Sequence, residues 1–282
     1  MLVNALTRGR FALLAAAIVA ILAQPAQAEL RIDITRGNVD PIPIAIPAFG
    51  GDDDRAAKVG ADLAGVVQAD LERSGLFRGI DSRAFIQTFP SMQVQPRFPD
   101  WQAINAQALV QGRASTTPDG KVRVEFRLWD VFANQPLKAS AYTTEGSNWR
   151  RIAHIIADQV YERLTGETGY FDTRVVYIAE SGPQTKRVKR LGIMDQDGAN
   201  HRFLTDGADL VLTPRFSPST QEITYMSYYN GVPRVYLYNI DTGKRERLGD
   251  CPGMTFAPRF SADGNRVIMS MARGGSSDIY TM

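Results

Sequence analysis

Apolar and polar residues alternate from residue 30 onward. Leu30, Ile32 and Ile34 are apolar, and Arg31, Asp33 and Thr35 between and after them are polar. That period of two predicts a half-buried strand. A second apolar run, from Ile42 to Phe49, follows Pro41 and contains Pro43 and Pro47. Proline cannot donate to a ladder, so this run predicts an edge or irregular strand. Gly50-Gly51 and the run Asp52-Asp53-Asp54 come next. The acidic run suits a helix N-cap and the positive end of a helix dipole better than a cation site. The period then becomes helical over Arg55 to Ser74. Val59, Leu63, Val66, Val67 and Leu71 share one face, and Gly75 supplies the stop.

A short helix is expected over Asp100–Ala106, after Pro99. Strands are expected at Leu109–Ser115, at Val122–Leu128 and at Leu137–Thr143, separated by the turns Pro118-Asp119-Gly120 and Asn134-Gln135-Pro136. In the middle strand Val122, Val124, Phe126 and Leu128 alternate with charged residues. A last helix runs from Trp149 to Leu164 on a stripe of Trp149, Ile152, Ile156, Val160 and Leu164, and Gly166 ends it. His154 lies off that stripe and reads as a solvated or partly packed histidine rather than a catalytic one. Residues 29–165 therefore read as a small α/β domain with a mixed sheet, and residues 166–171 as a linker.

The second half, residues 172–282, repeats with an offset of 44. Pro214-Arg215-Phe216-Ser217 recurs as Pro258-Arg259-Phe260-Ser261, Ile223 pairs with Val267, and Tyr236 with Tyr280. In the other direction Leu248 pairs with Leu204, and Asp250 with Asp206. A period of about 40–45 with several short strands is that of a β-propeller blade. The strands of one repeat read as a, Thr213–Ser217; b, Glu222–Ser227; c, Arg234–Ile240; and d, Glu246–Leu248. The first repeat lacks a strand a, and the last repeat reaches Met282 inside strand c, so about two and a half blades are expected. Asp195-Gln196-Asp197-Gly198 has neither the length nor the terminal acid of a calcium loop and reads as a turn.

The first residues change the charge picture. Arg8 and Arg10 precede an apolar run from Phe11 to Ala23, and Ala26-Gln27-Ala28 closes it with a small-x-small pattern. This predicts a secretory signal peptide over residues 1–28, cleaved between Ala28 and Glu29. The run is too short for a spanning helix, which needs about 20 apolar residues. The chain has 32 Lys and Arg against 30 Asp and Glu, and the leader holds two of the former and none of the latter. The mature chain is then balanced, which gives no support for nucleic-acid binding. One cysteine, Cys251, forms no internal disulfide, and two histidines are too few for a typical His/Cys metal site. A chain that folds without disulfides outside the cytoplasm suits a bacterial periplasm. No Gly-x-Ser-x-Gly elbow and no phosphate-binding glycine loop occur, so neither a hydrolase centre nor a cofactor is indicated.

Leader, α/β domain and propeller follow one another in this order, and particular motifs carry a resemblance. They are Glu29-Leu30-Arg31-Ile32-Asp33-Ile34, Ala69-Asp70-Leu71-Glu72-Arg73-Ser74-Gly75-Leu76-Phe77, Leu164-Thr165-Gly166, Arg215-Phe216-Ser217-Pro218 and Arg259-Phe260-Ser261-Ala262-Asp263-Gly264. Over its whole length the chain resembles the TolB family, periplasmic components of the Tol–Pal envelope system. The resemblance implies a six-bladed propeller when complete, and a binding protein rather than an enzyme. It implies that the propeller face binds Pal, the peptidoglycan-associated lipoprotein, and that the start of the mature chain, Glu29, Leu30, Arg31, Ile32, Asp33, Ile34 and Thr35, contacts the inner-membrane protein TolA. Other outer-membrane proteins are further candidate partners.

The loops from strand d to the next strand a, Asp206–Leu212 and Gly249–Phe256, are expected to rim the propeller channel. Leu212 and Phe256 read as packing between blades. Asp209, Leu210, Val211, Gly253, Met254 and Thr255 are the candidate lipoprotein contacts, since Leu and Met amid polar neighbours suit a protein-binding rim. Two other readings compete. One is the propeller of a periplasmic peptidase whose catalytic domain is missing. The other is a sugar- or peptidoglycan-binding propeller, which needs rim aromatics where these loops offer only Phe256.

Overall fold

The computed structural model describes residues 30–32, 40–250 and 252–282. The expected cleavage site at Ala28 and Glu29, together with Asp33, Ile34 and Thr35, lies outside the described residues. The chain divides into two compact units between Gly169 and Tyr170.

The first unit is built on a six-stranded mixed sheet. Its strands are β1 (Ile42–Ala45), β2 (Gly50–Gly51), β3 (Phe77–Gly79), β4 (Ala108–Thr116), β5 (Val122–Asp130) and β6 (Gln135–Thr144). The order is β3-β1-β4-β5-β6, with β2 on β4. The pairs β1–β3, β1–β4 and β2–β4 are parallel, and β4–β5 and β5–β6 are antiparallel. The helices are α1 (Asp54–Arg73), α2 (Phe98–Ala103) and α3 (Trp149–Thr165). Helices α1 and α3 pack on each other and on the sheet.

Local chemistry sets the element ends. Asp53 is the N-cap of α1, and its carboxylate accepts from the Ala56 N–H at 2.7 Å. Asp54 follows in the first turn, and Asp52 is bonded to Arg113. The acidic run is thus a cap, Asp53, between one paired carboxylate, Asp52, and one first-turn charge, Asp54. Gly166 ends α3 in the left-handed region at φ 82°, its N–H bonded to the Glu162 carbonyl. Phe49 is held between the helix and the sheet. A Cβ at Gly60 would overlap the Phe49 carbonyl, and one at Gly112 would overlap its ring.

Four details depart from the sequence reading. Leu30–Ile32 form no strand. Ile32 is instead buried, and its N–H donates to the Leu164 carbonyl at the end of α3, 2.7 Å away. Alternation correctly placed Ile32 inward, but its partner is a helix end. The Ile42–Phe49 run leaves the ladder after Ala45, before Pro47, although Ile46 and Phe49 stay buried. Strand β3 follows Gly75, where only a helix stop is legible. His154 is buried, at 2% exposure, rather than solvated. The α1–α3 contact is broad enough to enclose it together with Asp70, which is fully buried.

The second unit consists of three antiparallel sheets. Blade one has β7 (Arg174–Ser181), β8 (Val188–Asp195) and β9 (Arg202–Phe203). Blade two has β10 (Val211–Phe216), β11 (Glu222–Ser227), β12 (Arg234–Asn239) and β13 (Arg245–Arg247). Blade three has β14 (Met254–Phe260), β15 (Val267–Arg273) and β16 (Ser276–Thr281). Blade one begins at strand b and blade three ends at strand c, as the repeat predicts. Between blades one and two, Leu191, Val211, Tyr225 and Tyr236 form one apolar cluster, and Ile193, Ile223 and Ile240 a second.

Candidate functional site

The rim residues take their positions from where each strand a begins. The Leu210 carbonyl accepts from the Tyr228 N–H at 2.9 Å, and Val211 is in register with Ser227. This ties the loop entering β10 to the turn that leaves β11. The Val211 side chain points into the cluster between blades one and two and is 1% exposed. Leu210, one residue earlier, turns outward and is 40% exposed.

Blade three repeats the arrangement. Met254 occupies the position equivalent to Leu210 and is likewise 40% exposed. Thr255, next to it, is buried and links two blades. Its Oγ1 accepts from the Val235 N–H at 2.8 Å, and its own N–H donates to the Pro233 carbonyl at 3.2 Å. Gly253 lies so close to the Ala272 carbonyl that a Cβ would overlap it. Asp209 and Gly253 are half-buried, as are Leu212 and Phe256. Of the six rim residues, then, Leu210 and Met254 present apolar side chains to solvent, while Val211 and Thr255 fix the loops from within.

Sequence reasoning missed two residues on the same side of the second unit. The turn from β11 to β12 exposes Tyr229 and Val232, at 42% and 45%. It joins both rim loops, through Tyr228 to Leu210 and through Pro233 to Thr255. Asn230 and Gly231 in the left-handed region, at φ 59° and 74°, make the turn. The dipeptide Asn230-Gly231 after two tyrosines was the available signal. The Arg245 guanidinium lies 4.6 Å from the Tyr229 ring centroid and 5.5 Å from that of Tyr236, a cation–π arrangement that steadies the aromatic edge. Beneath it, burial pushes the Tyr225 phenol up to about 12, against the opposing pull of Arg245.

In the first unit, the described part of the other candidate segment lies against the C-terminal end of α3. Leu30 is half-buried, Arg31 exposed and Ile32 buried. The Arg31 guanidinium lies against Gly166 and borders an open cleft lined also by Lys138, Gln159, Glu162 and Arg163. Basic groups there suit the negative end of the helix dipole. No described helix is long and apolar enough to cross a membrane.

Comparison with known proteins agrees with this architecture. Residues 30–137 match the family model of the TolB amino-terminal domain, and residues 161–282 that of the TolB beta propeller domain. The chain is similar to the Tol-Pal system protein TolB of Paramagnetospirillum magneticum, with 63% identity over 232 residues. That match covers 82% of this chain and 52% of the relative, so the chain spans about half the length of the curated relative it matches. The crystal structure of TolB from Acinetobacter baumannii superposes with a TM-score of 0.67 at 29% identity, covering 90% of this chain and 61% of that one. A mixed-sheet domain followed by propeller blades, matched in order by both family models, places this chain in the TolB family.

Proposed function

We propose that this chain is a periplasmic, non-catalytic protein-binding component of the Tol–Pal system. It links the inner-membrane protein TolA to the lipoprotein Pal and so supports outer-membrane constriction at division and envelope integrity. In this reading residues 1–28 are a signal peptide cut at Ala28–Glu29, residues 29–165 the domain facing the inner membrane, residues 166–171 a linker and residues 172–282 propeller. Glu29–Thr35 contact TolA. Asp209, Leu210, Gly253 and Met254 meet Pal, with Val211 and Thr255 holding those loops in place.

The observation that supports this best is the pair Leu210 and Met254, exposed alike at equivalent positions of neighbouring blades. Exposed apolar side chains repeated along one edge of neighbouring blades suit a partner with an apolar ridge. The name of the P. magneticum relative supports the Tol–Pal assignment. Deleting Glu29–Thr35 tests the division of labour. The truncated protein is expected to lose capture of TolA and keep capture of Pal, and equal loss of both refutes the assignment of two separate surfaces.

A further inference from the structure

Strand β6 ends the sheet of the first unit. It pairs with β5 on one side and with no described strand on the other. At ten residues it is the longest strand of that sheet, whereas the opposite end is β3, with three. None of its residues is buried. An open edge of this length offers a row of unpaired N–H and C=O groups, and proteins blunt such edges with proline, lysine or a bulge. All three devices are present, but only at the start of β6. Pro136 is followed by Leu137, the extra residue where the register jumps from Lys138–Leu128 to Pro136–Trp129, and then by Lys138. The Leu137 carbonyl accepts from Arg163 Nε at 3.1 Å. From Ala139 to Thr144 the strand runs in unbroken register with β5 and carries no charge, proline or bulge. That stretch is free to take another strand.

The blunted start of this edge borders a cleft. Lys138, Ser140 and Tyr142 stand opposite Leu128, Phe126 and Val124, all buried, so they share the covered face of the sheet. Lys138 meets the end of α3 there, in a cleft of about 370 Å³ lined also by Arg31, Gln159, Glu162, Arg163 and Gly166. Three cations thus face one carboxylate, Glu162. The negative end of α3 offsets roughly half a charge, which leaves the cleft positive. Arg163 is held by the Leu137 carbonyl. Among the described residues, the side chains of Arg31 and Lys138 make no hydrogen bond or ion pair. Two cations without partners therefore line one cleft at the end of an open strand edge.

We propose that the β6 edge binds an extended, acidic segment of a partner protein by strand addition, with a carboxylate at one end of that segment seated between Arg31 and Lys138. Ladder bonds along Ala139–Thr144 supply affinity with little regard to sequence, and the cleft selects for acid. The site goes beyond the proposed function and stands whether or not Glu29–Thr35 contact TolA.

The test is calorimetry and amide hydrogen exchange on the purified chain, with a short synthetic peptide of alternating threonine and valine that carries glutamate at both ends. The peptide is expected to bind, more weakly as salt rises, and to slow exchange of the Ala139–Thr144 amides. Two N-methylated forms, blocked at alternate amides in the two possible phases, are expected to differ, since only one phase removes the donors that face β6. Replacing the peptide's glutamates by glutamine, or using the R31Q/K138Q variant, is expected to weaken binding about tenfold or more, the scale of a lost charge-assisted bond. If that variant fails to fold, the glutamine peptide on the unmodified protein reads the same contribution. No binding by the acidic peptide, binding without protection of Ala139–Thr144, equal behaviour of the two N-methylated forms, or binding indifferent to the loss of charge overturns the proposal.

Discussion

His154 Nδ1 lies 2.5 Å from Asp70 Oδ2, which joins α1 to α3 inside the first unit. The other oxygen of Asp70 accepts from Arg73 at 2.9 Å. Removing one member of a buried charged or hydrogen-bonded pair leaves the other without its compensation. Asp70→Ala and His154→Ala are each expected to destabilise the first unit by roughly 3 kcal/mol. Chemical denaturation followed by the tryptophan fluorescence of that unit checks this. A loss below about 0.5 kcal/mol, the range of ordinary surface changes, would make the pair incidental.

Phe49 gives a second expectation. Gly60 and Gly112 leave it no room to yield, one against its carbonyl and one against its ring. Gly112→Ala is expected to cost about 1–3 kcal/mol through overpacking, despite the usual preference for alanine over glycine in a strand. Replacing Phe49 by leucine in the Gly112→Ala background is expected to recover part of that loss, and a thermal-melt comparison of the two variants reads it directly.

Tyr225 makes the propeller blades sensitive to alkali. Its folded pKa is raised to about 12 by burial, above the ordinary tyrosine value near 10. The folded state therefore holds its proton more tightly than the unfolded chain does. The associated stability is complete below about pH 10 and is lost as pH rises from there through 12. Melting temperature measured from pH 8 to 11.5 is expected to fall above pH 10, and Tyr225→Phe to reduce that fall. An identical profile in the variant would contradict the assignment.

Much of this architecture is legible in the sequence because it rests on periodicity. Leu63, Val67 and Leu71 at helical spacing, Val122 to Leu128 in alternation, and the 44-residue offset each report a buried face repeated many times. Short or single contacts leave no such record. Strand β3 has three residues and one buried side chain, Phe77. Ile32 alternates like a strand residue yet bonds to a helix end, because alternation encodes which side is buried and not what covers it. The burial of His154 depends on Asp70, 84 positions away. At the rim, the exposed pair Leu210 and Met254 is legible, whereas the expected loops Asp206–Leu212 and Gly249–Phe256 end too late, since β10 already begins at Val211 and β14 at Met254, and the inward turn of Val211 and Thr255 requires the strand register.

In the proposed function the exposed rim pair, Leu210 and Met254, meets the lipoprotein. A buried side chain of this size contributes roughly 1.5–3 kcal/mol by area, about tenfold or more in affinity. An aspartate there adds the cost of desolvating a charge. The most direct measurement is the equilibrium dissociation constant for purified Pal, compared between the unmodified protein and its Leu210→Asp and Met254→Asp variants after each is shown to be folded. At least tenfold weaker Pal binding by each variant is expected, with TolA capture unchanged. Pal affinity equal to that of the unmodified protein in both variants would contradict it.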